Sequence, residues 1–254
     1  MSSILERFRL DGRVAMVTGA SSGLGVAFAQ GLAEAGADLV LTARRLEKLE
    51  ETAELVRAAG KRAVCVPADV AVPDQCQAAV AAAVDEFGRL DILVNNAGVG
   101  TAVPARKETP DQFRGVVDVN LNGAYWAAQA AARVMGPGST IVNITSILGI
   151  TTAGLPQAAY SASKAGLIGL TRDLAQQWGG RLGIRVNAMA PGIFASEMTA
   201  EYAPDYVEKI RGRIVTGDLG DPQDLAATLV WLVSDAASYV IGQVVVVDGG
   251  FTLT

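Results

Sequence analysis

The 254-residue chain contains no histidine. That absence removes imidazole metal sites, Ser-His-Asp triads and histidine acid/base chemistry, and no metal site is expected. Only two cysteines occur, Cys65 and Cys76, both in apolar periodic segments. Two reduced, buried thiols are expected rather than a disulfide, and with them a reducing, cytoplasmic setting. No window offers 18 uncharged apolar residues, so no membrane span is expected. The first ten residues carry Glu6, Arg7 and Arg9 and no apolar run of signal length. Charge is sparse as well, at 19 % of residues, below the usual fraction of about a quarter. The net charge is −5 and no basic run occurs, which argues against a nucleic-acid partner, whose phosphates need Lys and Arg.

What is present is an alternation of β-branched runs with longer, Ala-rich segments of helical period. Strands are read at 13–18, 38–42, 62–67, 91–95, 140–144, 184–188 and 243–247. Their runs are almost continuously apolar, as in strands buried on both faces. Helices are read at 25–35, 46–59, 74–87, 110–134, 159–178 and 222–234. Gly36, Gly60 and Gly88 stand just past three of them, and Pro110 and Pro222 open two others behind the N-caps Thr109 and Asp221. Strand–helix–strand repeats with short links mean parallel pairing and right-handed crossovers. The expectation is an α/β fold over residues 1–254, one doubly wound, seven-stranded parallel sheet with helices on both faces. Ligands in such sheets sit beyond the carboxyl ends of the strands.

Thr18-Gly19-Ala20-Ser21-Ser22-Gly23-Leu24-Gly25 follows the first strand and opens the first helix. Its spacing is not G-x-G-x-x-G, but the physics is similar. Glycine lets backbone approach a pyrophosphate, and a helix N-terminus supplies N–H donors and partial positive charge. Ser21 and Ser22 add hydroxyls. The second strand ends in Ala43-Arg44-Arg45. A carboxylate at its end would hold the ribose 2′-hydroxyl of NAD; here Ala43 stands in that place. Two guanidinium groups suit a 2′-phosphate instead. NADP(H) is therefore expected, with NAD(H) as the alternative. Asp69-Val70, after the third strand, is placed to meet an adenine, and Asp69 equally suits the turn that starts the next helix. Asn95-Asn96-Ala97-Gly98 follows the fourth strand, where Asn95, Ala97 and Gly98 are read as cofactor contacts.

Tyr160 and Lys164 lie four apart, early in a helical segment, and so share one face. A cation there stabilises the tyrosinate and draws the phenol toward working pH. Ser146, just past the fifth strand, is placed to donate to a carbonyl oxygen. Asn120 is a polar residue in the middle of an apolar helix and needs a partner; bending the helix and holding a water toward Lys164 is one reading, a satisfied core amide the other.

Together, the TGASSGLG run at 18–25, the NNAG at 95–98, Asn120, Ser146, Tyr160 with Lys164, and Pro191-Gly192 resemble the short-chain dehydrogenase/reductase family over nearly the whole chain. The resemblance implies a Rossmann fold and a catalytic set of Asn120, Ser146, Tyr160 and Lys164 exchanging hydride and proton between NADP(H) and a ketone or secondary alcohol. Tyr160 would be the acid/base, Ser146 would polarise the carbonyl, Lys164 would hold the nicotinamide ribose, and Asn120 would support a water relay. It further implies nicotinamide contacts from Pro191, Gly192, Ile193, Phe194 and Ser196, and a homotetramer. Within the family the chain looks most like gluconate 5-dehydrogenase and 3-oxoacyl-carrier-protein reductase relatives. The Ser146–Tyr160 interval is one residue longer than the commonest family spacing, with the extra residue expected in 151–157. Leu148, Gln157, Phe194 and Met198, with Ser146 and Tyr160, are the expected substrate pocket, and a moderately apolar carbonyl compound is the expected substrate. A thioester on an anionic carrier would call for a basic patch, for which Arg106, Lys107 and Arg172 are scattered candidates. A cofactor-binding sensor of the same fold, without turnover, is the rival reading, and the intact Asn–Ser–Tyr–Lys set argues against it.

Overall fold

The computed structural model describes residues 3–194 and 204–254. Seven strands form one parallel sheet in the order β3-β2-β1-β4-β5-β6-β7. They are β1 (Val14–Thr18), β2 (Asp38–Ala43), β3 (Ala63–Pro67), β4 (Ile92–Asn95), β5 (Thr140–Ile144), β6 (Arg185–Pro191) and β7 (Val244–Val247). The central strands are buried on both faces, which is why their sequences do not alternate: every residue of β1, β4 and β5 is buried.

Successive side chains still leave a strand on opposite faces. Ala15, Val17, Leu39 and Leu41 pack with Phe28 and Leu32 of α1 (Leu24–Glu34), Leu49 and Val56 of α2 (Leu46–Ala58) and Leu229 of α8 (Pro222–Val233). Val14, Met16 and Val40 pack with Val80 of α3 (Pro73–Phe87), Ala127 of α5 (Gly123–Ala132) and Leu174 of α6 (Ala158–Leu182). Phe28 and Leu32 are fully buried, and each such side chain contributes roughly 1.5–3 kcal/mol of transfer free energy. The N-caps act as the sequence suggests: Thr109 and Gln112 form a capping box, and the Asp221 side chain accepts from Gln223 N at 2.9 Å.

Three segments differ from the sequence expectation. The stretch 110–134 is not one α-helix but α4 (Pro110–Val117), a π-helical segment (Asp118–Asn122) and α5. Two tertiary contacts account for the break. Gly123 lies so close to Val70 that a Cβ there would stand 2.7 Å from Val70 Cγ2, and the Asn120 amide is drawn out to the backbone of Val99. Inserting a wide turn satisfies both, a common device at functional sites. Next, α6 continues past Trp178, through Gly179 and Gly180, to a left-handed cap at Gly183 (φ 69°). The side chain of Ile241 lies over Gly179. Lastly, α7 (Pro204–Arg211) forms in a stretch where no helix is read from the sequence. Among the described residues no helix is long and apolar enough to cross a membrane.

Candidate active site

A cleft of about 670 Å³ opens beyond the carboxyl ends of β1 to β6, where an open parallel sheet is expected to bind its ligand. One end is the glycine loop. Gly19 (φ +68°) and Gly23 (φ +55°) hold backbone that other residues rarely adopt. A Cβ on Gly19 would stand 2.8 Å from Ala97 Cα, and one on Gly25 would stand 2.2 Å from Gly19 O. The loop is thus pressed against the Asn96-Ala97 segment on one side and its own helix on the other. Thr18 Oγ1 accepts from the backbone N–H groups of Asn96 and Ala97, both at 3.0 Å, while Asn96 Nδ2 donates to Thr18 O at 2.9 Å and to Gly19 O at 3.2 Å. Helix α1 starts at Leu24 without a side-chain cap, which leaves its first-turn N–H groups for another acceptor.

Gly19, Ser21, Ser22, Gly23 and Leu24 line this end, and Arg44 and Arg45 join them from the end of β2. Arg45 Nη2 donates to Ser21 Oγ at 3.4 Å, tying the arginine pair to the loop. Both guanidinium groups are exposed, and neither forms an ion pair among the described residues. Asp69 and Val70 line the adjoining wall. Asp69 also serves the turn, its Oδ1 accepting from Ala71 N at 3.0 Å.

The other end holds the residues that the sequence suggests for proton transfer. Ser146, Tyr160 and Lys164 line it together, with Leu148, Gln157, Pro191, Gly192, Ile193 and Phe194. Ser146 is buried (7 % exposed) and its Oγ accepts from Leu148 N at 3.1 Å. A hydroxyl that is already an acceptor to backbone keeps its O–H to donate elsewhere. Lys164 is 3 % exposed, and its ammonium donates to Ile144 O, at the end of β5, at 2.8 Å. Burial lowers its pKa from 10.5 to about 8, because desolvation disfavours the charged form. Its Nζ lies 5.6 Å from the centroid of the Tyr160 ring. Gly149 lets the turn that follows Ser146 lie against α6: a Cβ there would stand 2.9 Å from Lys164 C.

Three sequence-predicted residues stand behind the wall rather than in it. Asn95 is buried, its Nδ2 donating to Ala124 O at 3.0 Å and to Asn143 Oδ1 at 2.9 Å. It ties β4 to β5 and α5, and its neighbour Asn96 lines the cleft in its place. Gly25 is required by the close approach of Gly19. Asn120 is 1 % exposed, and its amide makes three bonds: Oδ1 accepts from Val99 N at 2.8 Å, and Nδ2 donates to Val99 O at 2.9 Å and to Ser163 Oγ at 3.1 Å. Ser196 and Met198 lie outside the described residues. Val99, Gly100, Val119 and Thr145 also line the cleft, which sequence reasoning misses; small or β-branched residues in loops carry no signal for such a role. The loop 151–157, expected to hold the extra residue, is fastened from the far side, as Tyr206 OH donates to Ala153 O at 3.1 Å and Arg213 Nη1 to Thr152 O at 3.1 Å. Neither thiol is in a disulfide; Cys76 is buried as expected, whereas Cys65, on β3, is only partly buried, and desolvation pushes Cys65 up to about 12 and Cys76 up to about 11.

Comparison with known proteins identifies the family. A family model described as enoyl-(acyl carrier protein) reductase matches residues 19–252. The 2-dehydro-3-deoxy-D-gluconate 5-dehydrogenase of Escherichia coli (strain K12) is 39 % identical over 253 residues, covering 98 % of each chain. The galactitol 2-dehydrogenase (L-tagatose-forming) of Cereibacter sphaeroides is 41 % identical over 253 residues, covering 97 % of each. A short-chain dehydrogenase from Burkholderia cenocepacia J2315, solved in complex with NADP, superposes with a TM-score of 0.92 at 36 % identity, over 96 % of this chain and 99 % of that one. With a matched model over nearly its whole length and full-length relatives near 40 % identity, the chain belongs to the short-chain dehydrogenase/reductase family of oxidoreductases.

Proposed function

We propose that the protein interconverts a ketone and a secondary alcohol with NADP(H), using Tyr160 as acid/base. The observation that carries the reading is that Ser146, Tyr160 and a buried, cationic Lys164 line the same cleft as the glycine loop and the arginine pair. The residues fit the dinucleotide. Added Cβ atoms at Gly19 and Gly25 would collide with neighbouring backbone, so the loop keeps its tight path and leaves the uncapped first turn of α1 for a pyrophosphate. Arg44 and Arg45 would hold the 2′-phosphate, Asp69 and Val70 would meet the adenine, and the backbone at Pro191–Phe194 would meet the nicotinamide end. When bound, the nicotinamide supplies or accepts the hydride.

The chain's own work is positioning and proton transfer. In reduction, the substrate carbonyl carbon takes a hydride and its oxygen takes the proton of the Tyr160 hydroxyl. Ser146 donates its O–H to the same oxygen as negative charge develops. Lys164 has three donors, one spent on Ile144 O, and the others suit ribose hydroxyls. Its charge, close to the Tyr160 ring, lowers the cost of the tyrosinate. Asn120 acts through position, clamping Val99 of the cleft wall and Ser163 beside Lys164; with its amide bonded three times, the water relay implied by the resemblance is not assigned to that side chain. The relatives named for a sugar acid and a polyol favour polyhydroxylated substrates over a carrier-bound thioester. Arg106, Lys107 and Arg172, the candidates for a carrier contact, do not line the cleft. A cytoplasmic homotetramer of single-domain subunits is the matching assembly.

The test is oxidation of NADPH and NADH by the purified protein across ketones, keto-sugars and oxoacyl thioesters. Turnover with NADPH on keto-sugars is expected; cofactor binding with no turnover on any carbonyl class overturns the reading in favour of a sensor. The cofactor assignment makes a separate prediction. Arg44→Ala is expected to raise the NADPH dissociation constant by about tenfold, the scale of a lost charge-assisted phosphate contact, while moving the NADH constant by less than about twofold. Fluorescence titration with both cofactors measures it, and equal shifts sink the role given to Arg44.

A further inference from the structure

Among the described residues, the buried side-chain atoms that lack a hydrogen-bond partner are Thr42 Oγ1, Asn95 Oδ1, Thr140 Oγ1 and Gln157 Oε1. The first three sit on strands β2, β4 and β5, inside the fold. Gln157 alone lines the cleft. It holds the N-cap position of α6, yet its side chain makes no cap bond, whereas Thr109 and Asp221 at the equivalent positions of α4 and α8 both do. A residue that could satisfy its amide locally instead keeps it in the cleft that Tyr160, three residues on, also lines. A buried carbonyl oxygen left unpaired costs free energy, and its presence at a functional site calls for a physical reason.

We infer that Gln157 is a specificity residue that binds a hydroxyl on the carbon next to the reacting one, so that the substrate is an α-hydroxy ketone in one direction and a vicinal diol in the other. A hydroxyl suits the position because it can donate to Oε1 and accept from Nε2. The reacting oxygen would meet Tyr160 and Ser146, and the neighbouring hydroxyl would meet Gln157. This rests on the ketone–alcohol reading above and deepens it. A site built to bond a substrate hydroxyl discriminates strongly against the analogue that lacks it, because the buried group is then left unpaired.

The test compares NADPH-dependent reduction of 1-hydroxy-2-butanone with that of 2-butanone, in the wild type and in Gln157→Leu. The wild type is expected to favour the hydroxyketone in kcat/KM by about tenfold or more, most of it in KM. In Gln157→Leu the preference is expected to fall to within about threefold, with NADPH affinity kept and a melting temperature no lower than that of the wild type, since an unpaired buried acceptor has been removed. A merely structural glutamine would instead lower the melting temperature and leave the preference in place. Equal kcat/KM for the two ketones in the wild type, or an undiminished preference in the variant, overturns the inference while the redox reading stands. Reduction of neither ketone, nor of any other carbonyl compound, by NADPH-binding protein brings down the redox reading and this inference with it.

Discussion

Tyr160→Phe is expected to lower kcat/KM for carbonyl reduction by roughly 10²–10⁴-fold, the range that general acid–base catalysis supplies. The substitution removes only the hydroxyl. The ring keeps its place near Gly100, where an added Cβ would meet Tyr160 Cδ2 at 3.5 Å, and near the Lys164 ammonium. The glycine loop and the arginine pair, at the other end of the cleft, are untouched. The NADPH dissociation constant is therefore expected to change by less than about threefold. Steady-state kinetics beside a fluorescence titration separates the two quantities. Turnover within about tenfold of wild type would remove Tyr160 from the acid/base role, since loss of a proton donor costs more than that.

Lys164→Met has the second large effect, and it appears in two independent readouts. Turnover at neutral pH is expected to fall by about 10²-fold or more, because the tyrosinate loses its cation. Stability should change with pH in a defined direction. The Lys164 pKa is about 8 in the folded chain against 10.5 for an ordinary lysine. Below pH 8 both folded and unfolded states carry the proton, and the folded state bears the full penalty of a buried charge. Between pH 8 and 10.5 the unfolded state holds more protons, so wild-type stability rises with pH. Methionine has no proton to lose and shows no such rise. The stability of the variant relative to wild type should therefore decline by roughly 2–3 kcal/mol between pH 7 and pH 10, because one proton released on folding changes stability by about 1.4 kcal/mol for each pH step of one. Loss of the bond to Ile144 O changes the level of the comparison, while the slope with pH is set by the folded and unfolded pKa values of the lysine. Urea denaturation at the two pH values measures it, and a pH-independent difference would show that the ammonium is not desolvated in the folded protein.

Neighbouring residues show where sequence reading reaches its limit. Asn95 and Asn96 are chemically identical and adjacent. The first is the last residue of β4 and points into the sheet, toward Asn143 and α5. The second has left the strand and clamps Thr18 and Gly19. Only the exact strand end separates their roles, and strand ends are what local pattern fixes least well. Asn120 is similar. Its need for a partner is legible, but the partner, Val99, lies 21 residues away, and the π turn that brings them together breaks a stretch whose composition reads as continuous helix. The helix read from the sequence ends at 178, yet Gly179 and Gly180 lie inside α6, which runs on to the left-handed cap at Gly183.

The sequence alone determined the parallel sheet, through apolar runs that fill the buried central strands although the edge strands β3 and β7 are only partly covered, and the place of the candidate site, through glycine, serine and arginine runs that follow strands. These are local signals: backbone freedom, helix capping and residue period act over a few residues and survive without tertiary context. The tertiary structure decided the rest. It brought Ser146, at the end of β5, and Lys164, on α6, to one cleft, packed Gly149 against Lys164, and lowered the pKa of the ammonium by burial. It also left Gln157 with a buried carbonyl oxygen beside Tyr160. Each of these depends on distance through space between separate elements of the fold, and burial and desolvation exist only once those elements have packed.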